Sequence, residues 1–287
     1  MTAKRGLAHC ALLFATPVTE EDFYTVMQGG PLVDYAAASL RGESAASLWN
    51  RRYRHIVSAA QDLIGTALEL GGKVYTQIGL DEVAQATAQC DTVILLAHWR
   101  GAGVNPGELR QSRDEWFEVW SRHREHPVVA LLGDVPPDAV TLAERLNRLI
   151  ERGDLLSSLP ASIGVAARQS ATLAQALSRD LIDEIFATIL PPGNRIELYD
   201  GQHTPAAFEQ SIDVDFEGEI DLATCNSQVL ATVLDLRRGD RIHHLHWSDL
   251  VDPLPQFVLI RFALRRMVAT SESYTRSRLT VEQVLRR

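Results

Sequence analysis

The chain has 287 residues, 46% of them hydrophobic, which is enough for one large domain or two small ones with a substantial core. Its formal net charge of -9 argues against a nucleic-acid binder, whose footprint would be basic; the acidity suits simple solubility and also a cationic peptide substrate. Cys10, Cys90 and Cys225 are odd in number and form no CxxC pair, so neither a disulfide framework nor a zinc site is expected. No run approaches a membrane span, and the residues after Met1 lack a signal-peptide core, which together predict a cytoplasmic protein with reduced thiols and no membrane partner.

Ala8 to Ala15 reads as a first strand, and Thr19-Glu20-Glu21-Asp22 as a helix start with Thr19 at the N-cap. Residues 44–70 follow a helical rhythm, with Leu48, Ile56, Leu63 and Leu70 near one face and Gly71-Gly72 as the stop. Lys73 to Ile78 is a second strand and Asp81 to Gln89 a short helix. The apolar run Thr92 to Ala97 is a third strand, ending at His98. This alternation indicates an α/β fold around a mainly parallel sheet.

A glycine-rich loop, Gly101 to Gly107, opens a different region. Helices are expected over about 108–125, which carries Trp116 and Trp120, and over Val140 to Arg152. A strand is expected at Val128 to Leu132. The clearest amphipathic helix covers 169–190, with Leu173, Leu177, Leu181, Ile185 and Ile189 at steps of four; Pro191-Pro192-Gly193 ends it. The sheet is expected to resume at Arg195 to Tyr199, followed by a turn over Asp200-Gly201-Gln202-His203 and a helix opened by Thr204-Pro205. Ile220 to Thr224 is a further strand and ends at Cys225. A helix over Ser227 to Leu236, a strand over Ile242 to His246, and a buried helix over Leu254 to Met267 complete the pattern. From Ser271 the chain is polar and is expected to fray.

Two apolar runs thus end on reactive side chains, His98 and Cys225. In open α/β sheets, chemistry gathers outside the carboxyl ends of the strands. If the two strands lie close together, a thiol meets an imidazole there, which is a nucleophile with its base. Cys225 also precedes a helix, whose amino terminus favours a thiolate. Cys10, inside a strand, and Cys90, at a helix end, read as structural thiols. His244 and His246 share a strand face, but no carboxylate or cysteine completes a metal set at familiar spacing, so no metal is expected.

Leu95-Leu96-Ala97-His98 and Asp221-Leu222-Ala223-Thr224-Cys225-Asn226-Ser227 resemble the two catalytic segments of caspase-like cysteine peptidases, most closely the CHAT group, the bacterial relatives of caspases and separase. Tyr199-Asp200-Gly201 resembles the segment that feeds the group's second motif. The resemblance implies a single caspase-like domain over 1–287, a three-layer sandwich with a mainly parallel central sheet. The long separation of the two motifs then reads as a helical insertion over 105–192, between the His and Cys strands. It implies a cysteine endopeptidase that needs no cofactor, with Cys225 as nucleophile, His98 as acid/base, and backbone N–H groups at Trp99 and Cys225 forming the oxyanion hole. A protein or peptide substrate and a regulatory partner protein follow from the same resemblance, in bacterial defence or programmed cell death. The family usually has Gly after the His, where this chain has Trp99. Relatives that cut after basic residues carry Asp two places before the Cys, where this chain has Ala223. Asp200 and Asp221 are the acids that could face a substrate instead. A catalytically inactive caspase-like binding or regulatory module is the alternative, favoured by Trp99; a doubly wound ligand-binding domain is disfavoured by the glycine-poor turn after Ala15.

Overall fold

The computed structural model describes residues 7–29, 32, 44–100, 145, 195–224, 227–246 and 252–285. The expected insertion over 105–192, with its helices and Trp116 and Trp120, lies outside the described residues apart from Arg145; so do Cys225 and Asn226.

Eight strands are described: β1 (Cys10–Phe14), β2 (Lys73–Thr76), β3 (Thr92–Leu96), β4 (His98–Arg100), β5 (Arg195–Leu198), β6 (Gly201–His203), β7 (Glu219–Leu222) and β8 (His243–Leu245). Five of them form an all-parallel sheet in the order β2-β1-β3-β7-β8. Its central strands β1 and β3 are buried along their whole length. Near-continuous apolar runs such as Ala11-Leu12-Leu13-Phe14 are what a sheet covered on both faces requires.

Alternation along the strands divides the core in two. Ala11, Leu13, Val93, Leu95, Ile220 and Leu222 point to one face. They meet Val83 and Ala86 of α4 (Leu80–Gln89), Phe208 of α5 (Pro205–Ser211), and Leu230 and Leu234 of α6 (Gln228–Arg238). Leu12, Phe14, Ile94, Leu96 and Ala223 point to the other. There they meet Ile56, Ala60 and Leu63 of α3 (Arg54–Glu69), and Phe257, Ile260 and Leu264 of α7 (Pro253–Thr270). The molecule is therefore α/β, with helices against both faces of a parallel sheet.

Local signals explain several boundaries. The Thr19 side chain accepts a hydrogen bond from the Asp22 N–H and so caps α1 (Glu20–Met27); Thr204 does the same for α5, with Pro205 in its first turn. Before α3 run the short α2 (Ala45–Leu48) and a π-helical turn (Trp49–Tyr53), which buries Trp49 and Tyr53 beside Phe23. α3 stops where Gly71 adopts a φ of +85° and the Gly72 N–H returns to the Ala67 carbonyl.

Five expectations are corrected. The strand at residue 92 leaves the main sheet at Leu96, and His98 opens a new strand, β4. Residues 195–198 do not resume the main sheet, and 201–203 are more than a turn: β4, β5 and β6 form a separate antiparallel sheet. A two-residue link, Tyr199-Asp200, joins β5 to β6, and Gly201 supplies the φ of +138° at the reversal. This small sheet is tied to the carboxyl end of the main one, where the Tyr199 N–H donates to the Ile78 carbonyl and the Tyr199 hydroxyl to Asp22 Oδ1 at 2.6 Å. Finally, the polar stretch after Ser271 forms α8 (Tyr274–Leu285), with Tyr274 and Arg278 fully buried. α7, expected to be apolar on most faces and buried, leaves Val258 and Phe262 exposed.

Candidate functional site

β3 and β7 are neighbours in the main sheet. Their parallel register pairs Thr92 with Glu219, Val93 with Ile220, Ile94 with Asp221 and Leu95 with Leu222. From the last pair, three residues along one segment reach His98 and three along the other reach Cys225. Adjacent strands lie about 4.8 Å apart. Thr224, the last described residue before Cys225, is buried, and its N–H turns back to the Leu222 carbonyl. The Ser227 hydroxyl, also buried, donates to the same Leu222 carbonyl at 2.8 Å just before α6 begins. Thr224 and Ser227 are thereby both tied to Leu222, where β7 gives way to α6.

His98 keeps 27% of its side chain exposed. Its neighbour Trp99 points the other way and is buried in the core with Ile196 and Leu198. The bulky residue after the histidine is thus packed inside rather than projecting into solvent. Its indole N–H has no hydrogen-bond partner among the described residues.

The antiparallel register of the small sheet places Glu197 directly opposite His98, and Gln202 directly opposite Glu197. Directly opposed residues share a face and touch. Glu197 Oε2 lies 3.9 Å from His98 Nε2, and the Gln202 amide donates to Glu197 Oε1 at 3.2 Å. The glutamate side chain is 1% exposed. A carboxylate so buried needs compensating partners to stay charged. Glu197 escaped the sequence reading; the signal was an acid flanked by Ile196 and Leu198, which alternation puts on the face opposite the core.

The two expected substrate-facing acids are both engaged in holding the fold. Asp221 has no solvent exposure at all. Its Oδ2 accepts from the Tyr274 hydroxyl at 2.6 Å and from Arg278 Nε at 3.2 Å, an ion pair sealed between β7 and α8. Arg278 also donates to Gln256 of α7. Burial beside this carboxylate pushes the Tyr274 phenol well above its ordinary range. The expected substrate-facing role of Asp221 is therefore corrected to a structural one. Asp200 keeps 42% of its side chain exposed, but Oδ2 accepts from the Leu80 N–H at the start of α4 and Oδ1 sits 2.7 Å from His203 Nε2.

Of the described thiols neither suits nucleophilic work. Cys10 is 1% exposed, and desolvation with the neighbouring Cys90 and Glu219 drives its ionisation far upward. Cys90 is 4% exposed and is raised chiefly by burial. Two cavities, of about 710 and 610 Å³, open among the described residues at the amino ends of the strands. Glu219 and His243 line the first, Cys10 and Thr92 the second, at the end of the sheet away from His98.

At the edge strand β8, His244 Nδ1 lies 3.3 Å from His246 Nδ1, while His244 Nε2 meets Asp235 of α6 at 2.8 Å. Among the described residues no group of three or more His, Cys, Asp or Glu side chains converges to hold a metal. No described helix is long and apolar enough to cross a membrane. Comparison with protein-family models, curated proteins and solved structures returns no match for this chain.

Proposed function

We propose that this chain is a caspase-like cysteine endopeptidase, related to the CHAT group, that cleaves a protein or peptide substrate through Cys225 and His98. The observation that supports the reading is the parallel pairing of β3 with β7, the two strands whose carboxyl ends lead toward His98 and Cys225 in the sequence. The placement of Trp99 in the core supports activity over the inactive alternative, because the side chain that replaces the family's glycine points away from the exposed face of His98.

In this mechanism the Cys225 thiol gives its proton to His98, and the thiolate attacks the carbonyl carbon of the scissile peptide bond. Backbone N–H groups at Trp99 and Cys225 stabilise the oxyanion of the tetrahedral intermediate; one such donor is worth about 2.7–4 kcal/mol. The C–N bond then breaks, the leaving amine takes the proton from the His98 imidazolium, and a thioester remains on Cys225. Neutral His98 next removes a proton from water, hydroxide adds to the thioester, and the acid leaves as the thiolate recovers. No metal or organic cofactor enters the cycle. The fold class and the turn into α6 suit this chemistry, and action on a dedicated partner protein in bacterial defence or cell death extends the family analogy.

The experiment is hydrolysis of a defined peptide library, with the new amino termini mapped by mass spectrometry. Cleavage by the unmodified chain that is lost in both Cys225→Ala and His98→Ala supports the reading. Absence of cleavage across the library and of any Cys225-bound acyl species would favour the inactive binding or regulatory module.

A further inference from the structure

Three residues stand in a row across the small antiparallel sheet, one from each strand: His98 of β4, Glu197 of β5 and Gln202 of β6. The middle one is a carboxylate with 1% of its side chain exposed, its Oε2 3.9 Å from the imidazole Nε2 and its Oε1 held by the Gln202 amide. The row is set by backbone pairing, so the relative positions do not depend on flexible loops. The imidazole remains 27% exposed, and the carboxylate behind it is screened from water. Charges in such shielded places interact more strongly than on an open surface.

We infer that Glu197 is a positioning residue for His98. It holds the ring in one orientation and stabilises the imidazolium form, with Gln202 fixing the carboxylate in turn. This rests on the peptidase reading above for its consequence, but not for the pairing itself. During proton transfer from the Cys225 thiol to His98, a thiolate and an imidazolium form together. A buried negative charge near Nε2 of the ring favours that state over the neutral pair. The same logic, base oriented by a third group, recurs wherever an activated nucleophile is built.

The test compares the full chain with its Glu197→Gln variant at one fixed pH, reading the ring-nitrogen NMR signals of His98, identified by their loss in His98→Ala. Glu197→Gln is expected to move those signals toward the neutral imidazole pattern and Glu197→Asp to restore them in part. Acylation of Cys225 by a peptide substrate is expected to slow about tenfold or more in kcat, with KM little changed. Signals in Glu197→Gln that superimpose on those of the unmodified chain overturn the inference, whatever the activity. Signals that move in a chain whose Cys225 never acylates leave the pairing standing and remove the peptidase reading instead. Should Glu197→Gln fail to fold, Gln202→Ala, at an exposed β6 position, carries the test. A smaller shift in the same direction is expected there, and no shift overturns the inference.

Discussion

Leu95 and Leu222 face each other on adjacent parallel strands, and each lies three residues before a side chain able to do chemistry. Both leucines point into the same half of the core and both are fully buried. Packing therefore locks the register, because a one-residue slip would turn every apolar side chain of β7 to the opposite face and bring Asp221 into the other core. The alignment of β3 with β7, the strands that precede the two motifs, follows from the same packing that stabilises the sheet.

The Asp221–Arg278 pair joins that strand to the end of the chain, and both side chains have no exposure. Arg278→Met leaves a buried carboxylate without its cation and is predicted to destabilise the fold by about 3–5 kcal/mol in denaturant unfolding. Tyr274→Phe, which removes one hydrogen bond to the same oxygen, is predicted to cost about 1.5–3 kcal/mol. The double variant Asp221→Leu with Arg278→Met is predicted to recover most of the loss, since no unpaired charge remains. Equal instability in single and double variants would show that shape, not charge pairing, holds α8 in place.

Two glycines give a graded test of packing. A Cβ on Gly218, just before β7, would collide with the Asp91 backbone carbonyl and press on the Phe216 ring at 2.7 Å. A Cβ on Gly79 would come within 2.6 Å of Asp200 Cγ, a side chain that can shift at the expense of its bond to the Leu80 N–H. Gly218→Ala is predicted to cost about 3 kcal/mol or more and Gly79→Ala about 1–2 kcal/mol. Thermal unfolding of the two variants checks the order; a reversal would contradict the packing around Gly218.

The His244–His246 pair predicts an acid sensitivity at the sheet edge. Desolvation first, and repulsion from His244 second, lower the His246 value in the folded chain, with Asp235 opposing. A histidine unfolds to an ordinary value of about 6.5. Where the folded value is the lower of the two, the unfolded chain binds more protons, so stability rises with pH across that interval. The contribution is intact above about 6.5 and falls away as pH drops through the folded value. The melting temperature of the unmodified chain is expected to fall further between neutral and mildly acid pH than that of His246→Gln. Parallel curves would show that His246 is not held below its ordinary value in the folded chain.

Much of this architecture can be read from residues alone, and the exceptions have physical causes. β1 and β3 announce themselves as aliphatic runs bounded by polar residues, and Thr19 and Thr204-Pro205 mark helix starts through local capping that needs no tertiary context. β4 and β6 are three residues each, too short for any period, so which sheet they join is decided by tertiary pairing. Arg278 and Tyr274, four residues apart in a charged stretch, look like a solvated surface. Asp221 inside the buried Ile-Asp-Leu run was the one sign that a cation had to come from elsewhere. Glu197 carried a similar sign between Ile196 and Leu198. That β3 and β7 are neighbours is a property of topology and is written in neither strand.

The proposed hydrolysis requires Cys225 and His98 to act together. The most direct measurement is covalent capture by a peptide carrying a thiol-reactive group, located by mass spectrometry in the folded chain. Labelling is predicted at Cys225 and not at the buried Cys10 and Cys90, at a rate that falls at least about tenfold in His98→Ala. Labelling of Cys225 that is indifferent to His98, or reaction at Cys10 or Cys90 in its place, would contradict it.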